Sequence, residues 1–410
     1  MIYIGLFKHA ADTIFLIFMN IYMYQLFQGW EGIIRGNIIR GFAVLAWFYL
    51  VALIRHWKKI NLKYCSIIGA ILFACCFLFF FVENPTFALW AYIFQGLSSG
   101  IWHCARNNYE LLFIKEQKRG VFQGNDRALK SVVKIIIGLA CSGIFLLSQG
   151  VINPYLILGT LAIILVVGIL ICCLRLPNSY EEKASFKTLQ HVVKRKDLWK
   201  WVFMGMIGIN LVFDVLFTIS SYFILTSEAT LSIYESILTV ISIFITLYIG
   251  KRISSKNRVS YLVICAILVC VTLCIFANTI VFWSFLLVTI ARITVWKFFN
   301  LAERINTLHM MDQIRGEEKS SFSVVVMRET FLTFPKVLWL VVLLPFLSSG
   351  SSLIVKVGFM TLWISYLFIG LLLAYQEKKQ KANICITEPE NVLLPEFATV
   401  ENTPLKEKLN

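Results

Sequence analysis

Stretches of roughly 20 apolar residues recur along this chain from end to end, separated only by short polar breaks. As a helix, each is long enough to cross ~30 Å of hydrocarbon. Lipid offers backbone groups no hydrogen bonds, so each run must close its own as a helix. The spans fall near 5–28, 36–54, 64–82, 87–113, 130–149, 154–175, 200–225, 232–250, 260–278, 281–302, 325–346 and 352–375. Composition agrees: 59% of the 410 residues are hydrophobic and 15% charged, against roughly half and a quarter in soluble domains. The expected class is an all-α polytopic membrane protein with 12 transmembrane helices.

The net charge of +15 would suggest a nucleic-acid partner in a soluble protein, but its location argues otherwise. The breaks after even-numbered spans hold 23 Lys and Arg residues, and those after odd-numbered spans hold Arg35 alone. Cationic loops stay in the cytoplasm, so both termini are expected there. Ten of the eleven cysteines lie inside apolar runs, where cysteine acts as a small hydrophobe; none has metal-ligand spacing. The first run lacks a cleavage site of the A-x-A kind, so it reads as a retained helix. Richness in Ile, Lys, Asn and Phe points to a bacterial source and its cytoplasmic membrane.

A repeat divides the chain. At an offset of 196 residues, Glu116-Gln117-Lys118-Arg119-Gly120 falls on Asp312-Gln313-Ile314-Arg315-Gly316, Arg55-His56 on Lys251-Arg252, and Asn61 on Asn257. The apolar spans obey the same shift. Six crossings per copy is an even number, so the copies run parallel, a known transporter plan with its site between the copies. The expected organisation is an N-terminal half over 1–175, a cytoplasmic linker over 176–199, a C-terminal half over 200–375 and a disordered cytoplasmic tail over 376–410. The linker suits a surface helix and a solvated connector equally.

Twelve helices in two parallel halves with a basic central loop resemble the major facilitator superfamily, over roughly residues 1–375. Its loop signature, G-x-x-x-D-[RK]-x-G-[RK]-[RK], is degenerate here. The second copy, Gly250-Lys251-Arg252-Ile253-Ser254-Ser255-Lys256-Asn257-Arg258, keeps Gly250 and Arg258 but has Ser254 where the Asp belongs. The first copy keeps Lys59 and Lys63 and has Lys58 at the Asp position. Asn61 and Asn257 stand at the second Gly, and Asn is the residue next best to Gly for a left-handed turn. Drug exporters of this superfamily carry a Gly-Pro-rich fifth helix; here that helix has Gly138 and Gly143 but no proline.

Ionisable side chains in a bilayer are costly and normally face a wet cavity or a partner. On the fourth span Gln95, Ser99, His103, Arg106 and Glu110 share one face, and Arg106 can pair with Glu110 at i, i+4. On the seventh, Asn210, Asp214, Thr218 and Ser221 form a stripe. Arg292, Trp296, Asn300 and Glu303 do so on the tenth. The eleventh offers Arg328, Glu329 and, deeper, Lys336; the first offers Asp12, Asn20 and Tyr24. Substrate or coupling candidates are therefore Asp214, Arg106, His103, Arg292, Lys336, Asn20, Asn210 and Trp296. Gating candidates are Glu110, Gly250, Arg258, Glu303, Arg328 and Glu329. Lys8, Lys134 and Arg328 lie close enough to the basic end to snorkel instead, and His103 reads equally as a packing residue.

Deep cations (Arg106, Arg292, Lys297, Lys336) outnumber Asp214. The expected function is secondary transport of a small anionic or zwitterionic solute, driven by an ion gradient, with Asp214 the proton-coupling carboxylate. The alternatives are an efflux antiporter, and a transporter-like sensor or accessory protein without turnover. Walker-A, H-E-x-x-H and G-x-S-x-G motifs are absent, so no enzyme activity, cofactor or metal is expected. The expected partners are the bilayer, the solute and protons, with no nucleic acid, and the chain is expected to act as a monomer.

Overall fold

The computed structural model describes residues 2–57, 61–81, 84–114, 116–148, 153–178, 198–210, 213–225, 227–250, 258–279, 281–296, 299–300, 303, 307, 311, 321–349 and 351–387. The first half contributes α1 (Ile2–Leu26), α2 (Trp30–Trp57), α3 (Leu62–Leu78), α4 (Pro85–Phe113), α5 (Glu116–Leu147) and α6 (Pro154–Leu174). The second half contributes α7 (Leu198–Asn210), α8 (Phe213–Leu225), α9 (Glu228–Gly250), α10 (Arg258–Asn278), α11 (Phe282–Ile293), α12 (Ser321–Leu343) and α13 (Ser351–Thr387). Among the described residues nine helices are long and apolar enough to cross a membrane.

Short polar residues start these helices by taking up free backbone donors. The Asn84 carboxamide accepts from Thr86 and Phe87 N–H, and that of Asn153 from Tyr155 N–H. Pro85 and Pro154 follow at the first helical position, where the missing N–H costs nothing. Asn61 does the same for α3, accepting from Lys63 N–H with φ −77° and ψ 121°. It is therefore a helix cap in extended backbone rather than the left-handed turn residue expected.

Two boundaries differ from the sequence reading. Helix α5 begins at Glu116, not near 130, because residues 116–130 are mostly helix formers with no proline. Helix α13 continues past 375 to Thr387; the Glu377-Lys378-Lys379-Gln380-Lys381 run favours helix, and the next proline is Pro389. Most of the expected linker (179–197) and the end of the tail (388–410) lie outside the described residues.

The outward surface is what lipid requires. Ile136, Leu147, Ile164, Phe244 and Phe368 are exposed. Exposed Tyr3, Tyr64 and Tyr375 gather at the end bearing the N-terminus, here the basal end. Phe87, Trp90, Phe282 and Trp283 gather at the opposite, apical end. Such aromatic belts mark the two membrane–water boundaries.

Helix pairing repeats between the halves. Within the first half α2 packs on α4, α3 on α4 and α6, and α1 on α5 and α6. At the 196-residue shift the corresponding pairs, α9 with α11, α10 with α11 and α13, and α7 with α12 and α13, are all in contact. The halves meet along two long seams, α2 against α12 and α5 against α9, again equivalent under the shift. The helix limits obey it too: Ile2 falls on Leu198, Leu62 on Arg258, and Asn125–Leu147 on Ser321–Leu343.

One pairing is not equivalent. Helices α2 and α4 close through Gly96, where a Cβ would lie 2.5 Å from the Arg40 carbonyl oxygen, and Gly100, where it would lie 3.1 Å from that of Val44. Small residues let helix backbones approach like this. The shift carries Gly96 onto Arg292 and Gly100 onto Trp296. At these positions in the second half Arg292 reaches Glu235 of α9, while the Trp296 indole packs on Phe213 of α8 and Tyr366 of α13.

Candidate functional site

Polar side chains meet at mid-depth inside the first half. Helix α1 carries a π-helical turn, Phe15–Met19, a local widening frequent at functional sites. Asn20 follows at once; its amide donates to the Leu16 carbonyl at 2.6 Å. The Asn20 oxygen accepts from the Tyr92 hydroxyl at 2.8 Å and the Asn37 amide at 3.3 Å, tying α1, α4 and α2. All three residues are fully buried. Two turns basal to Asn20, Asp12 accepts from Lys8 at 2.6 Å, and the Lys8 ammonium lies 4.0 Å from the Phe73 ring centre. Lys8 is buried, so the snorkelling expected of it gives way to this pair. Arg40, on α2, is 8% exposed and sits among Tyr92, Asp12 and Cys76.

His103 lies on α4 between the halves. The charges of Glu329 and Arg328 on α12 act on it from one side and those of Lys8 and Asp12 on α1 from the other. It is nevertheless exposed, unlike both of its chain neighbours. A polar residue surrounded by helices yet open to solvent lines a wet chamber, which a packed core would not leave. A cysteine at this position is therefore expected to react with a small charged thiol reagent in a background whose other cysteines are replaced. Reactivity no faster than that of a cysteine at lipid-facing Ile136 would show that no water reaches His103.

Towards the basal end the ionic groups form a chain. Arg106 donates to Glu110 at 2.9 Å and to Asp126 on α5 at 2.7 Å, and Asp126 also accepts from Lys130 at 2.5 Å. The halves are tied here by Asn107, whose amide donates to Glu329 at 2.9 Å, and by Arg127, which donates to the Asn300 carbonyl at 3.1 Å. Glu329 also pairs with Arg328, both buried, so Arg328 does not snorkel either. Glu303 accepts from Thr307 at 2.6 Å, and its charge acts on Arg127. At the apical end Gln25 of α1 donates to Glu228 of α9 at 2.7 Å and accepts from Tyr155 at 3.1 Å. The halves are thus hydrogen-bonded to each other at both the basal and the apical end.

A third cluster lies on the α5–α9 seam. Glu235, 3% exposed, accepts from Lys134 of α5 at 2.7 Å and from Arg292 of α11 at 2.5 Å. The Arg292 guanidinium also lies over the Phe217 ring, 4.3 Å from its centre. Ser232 donates to the Gly138 carbonyl at 2.5 Å beside it, which brings the two helices together. Lys134, expected to snorkel, is instead one arm of an ion triad joining the halves.

The candidates thus separate into groups. Arg106 and Glu110 fall in the basal chain, with Glu329 and Arg328 next to it across the mouth. Asn20 falls in the first-half network, His103 faces the chamber, and Arg292 joins the seam triad. Trp296 stacks on Phe213 at 4.1 Å and packs on Tyr366 at 5.3 Å, which gives it a packing role. Lys336 is half-buried on α12 directly after Pro335. Asp214 and Asn210 lie on α8 and α7, Gly250 ends α9 and Arg258 begins α10; their side chains lie outside the described residues, as does Lys297. Sequence reading missed Glu235, Asp126, Arg40 and Gln25. Glu235 and Arg40 could have been found as ionisable residues inside apolar runs; Asp126 was hidden by the late start assigned to α5.

No family model and no curated protein matches the chain. Solved structures do. A variant of the nucleoside transporter NupG aligns with a TM-score of 0.65 at 14% identity, over 91% of this chain and 98% of its own. The E. coli fucose:proton symporter FucP aligns at 0.60 and 12% identity, over 90% and 97%. A human organic anion transporter aligns at 0.55 and 12%, over 91% and 97%. With helices throughout the described residues, two parallel halves and paired seams, this protein has the fold of the major facilitator superfamily.

Proposed function

We propose that this chain is a secondary active transporter that moves a small anionic or zwitterionic solute by alternating access, driven by an ion gradient. The observation that carries the reading is His103, open to solvent between α1 and α12 and flanked by charges from both halves. Ties at both mouths support the mechanism: Asn107–Glu329 and Arg127–Asn300 would break in one state, Gln25–Glu228 in the other. The fold is shared with a nucleoside transporter, a fucose:proton symporter and an organic anion transporter. Around the chamber the cations Lys8, Arg40 and Arg328 exceed the carboxylates Asp12 and Glu329, which favours a solute with negative charge.

In this reading residues 1–175 and 200–375 are the two moving halves, and the basal end with both termini faces the cytoplasm of a bacterial cell. The basal ionic chain is then the cytoplasmic gate. Asp214 is the proton-coupling carboxylate, near mid-depth on α8. A monomer carries out the cycle.

Flux into liposomes with and without an imposed proton gradient tests this. Uptake of a stabilising solute should rise with the gradient, and Asp214→Asn should abolish that dependence while leaving exchange of solute for solute. Flux whose pH dependence survives Asp214→Asn removes the residue from coupling. One observation favours a second reading. Both loop signatures lack the Asp, with Lys58 and Ser254 in its place, as suits a sensor that binds without turnover. Solute binding with no net movement would decide for the sensor.

A further inference from the structure

Among the described residues Arg40 is a buried cation with no paired counter-ion. It lies in the middle of α2, 8% exposed, and among the described residues it makes no hydrogen bond or ion pair. Its carboxylate neighbour, Asp12, is already held by Lys8 at 2.6 Å. Two cations therefore share one carboxylate in a region where an unpaired charge is costly.

The groups beside it are unsatisfied in the opposite sense. Asn37, one turn apical on α2, spends its amide on Asn20 and on the Ile33 carbonyl, and its own oxygen is buried with no partner. Gln95, one turn basal to Tyr92 on α4 and next to Gly96, which packs on the Arg40 carbonyl, is 4% exposed, and its oxygen too is buried without a partner. Buried acceptors left empty forfeit their hydration with nothing in return. Tyr92, next to Arg40, has its hydroxyl committed to Asn20 and cannot serve either group. The charges of Lys8 and Asp12 act both on His103 in the chamber and on Cys76, which Arg40 also faces.

We propose that Arg40, Asn37 and Gln95 form a recognition subsite for a small carboxylate that also carries hydrogen-bond donors, an amino acid or a hydroxy acid. The carboxylate takes the guanidinium fork, for which its two oxygens are geometrically matched. The ammonium or hydroxyl group donates to the Asn37 and Gln95 oxygens. An inorganic anion satisfies Arg40 alone and leaves both acceptors empty. The assignment rests on the transporter reading for its purpose, but binding itself does not require turnover.

The test is thermal unfolding of the purified full chain in nanodiscs at constant ionic strength. The probes are the standard amino acids and a series of short hydroxy acids, each paired with its own amide, plus sodium chloride and sodium sulfate. At least one acid should stabilise the protein while its amide does not. Arg40→Gln should weaken that binding by roughly 30-fold or more, with Arg40→Lys recovering part of it. Asn37→Ala and Gln95→Ala should each weaken it by roughly 5–10-fold, and they keep the test available if Arg40→Gln fails to fold. The subsite is overturned if no acid stabilises, if acid and amide act equally, if chloride or sulfate does as much, or if the variants bind as the native chain does. Arg40-dependent binding without liposome flux would defeat the transporter reading and leave the subsite standing. Flux indifferent to Arg40→Gln would do the reverse.

Discussion

Replacing Glu235 by alanine is expected to destabilise the protein by about 3–5 kcal/mol, the largest loss of any single side chain described above. The carboxylate is 3% exposed and is shared by Lys134 at 2.7 Å and Arg292 at 2.5 Å. Its removal leaves two cations facing each other across the α5–α9 seam with no counter-charge, in a region with little water to compensate. Glu235→Gln should cost less, because one acceptor oxygen remains. Lys134→Met should cost less still, since Glu235 keeps Arg292. Thermal unfolding in nanodiscs orders the three. Removing the cations as well, in Glu235→Gln/Lys134→Met/Arg292→Met, should restore most of the stability. If that triple variant is no better than Glu235→Gln, the penalty does not come from stranded charge.

Gly208→Val is expected to be nearly as damaging, for a steric reason. A Cβ at Gly208 would overlap the Leu332 carbonyl oxygen, and the Leu332 Cα would lie 2.9 Å away. No side chain can move aside to relieve this, because the obstacle is the backbone of α12. Pro335 lies inside α12 and cannot donate to the Phe331 carbonyl one turn before it, so the helix is loosened where α7 approaches. Overpacking of this kind typically costs about 1–3 kcal/mol, and here it must separate two helices. Gly208→Ala should give an intermediate loss, and Gly143→Val, where nothing lies within 4 Å of a Cβ, almost none from overpacking. Equal melting temperatures for Gly208→Val and Gly143→Val would show that α7 and α12 are not in contact at this point.

The fold was largely legible because lipid imposes a uniform rule. An apolar run of sufficient length must be a helix, and the 196-residue offset fixes which helices correspond. What failed were boundaries set by polar sequence. Residues 116–130 carry so many charges that they read as a loop, yet they hold Asp126, the carboxylate that binds both Arg106 and Lys130. The tail after 375 failed for the same reason, because hydropathy ends where the membrane ends and helix propensity does not. For the site, periodicity correctly placed Arg106 and Glu110 on one face, since i, i+4 spacing is a property of a single helix. It gave no access to Lys134–Glu235 or Asn107–Glu329, whose partners are separated by 101 and 222 residues. Partnership across a seam depends on how helices are rotated against one another, and no single helix encodes that. Arg40 shows the complementary limit: its importance lies in what it lacks, and that is visible only once its neighbours are known to be spoken for.

The unequal treatment of one repeated contact has a consequence for how two similar copies can share work. Where the first copy has Gly96 and Gly100 pressed on the α2 backbone, the second has Arg292 and Trp296. A contact made of backbone against backbone has one geometry and nothing to exchange. A contact made through a guanidinium held by a carboxylate can trade its counter-ion, lengthen or turn without opening a void. The duplicated design thus contains one stiff member and one adjustable member. Of these two equivalent contacts, a change of charge can reshape only the one in the second copy, while the one in the first can only hold or part.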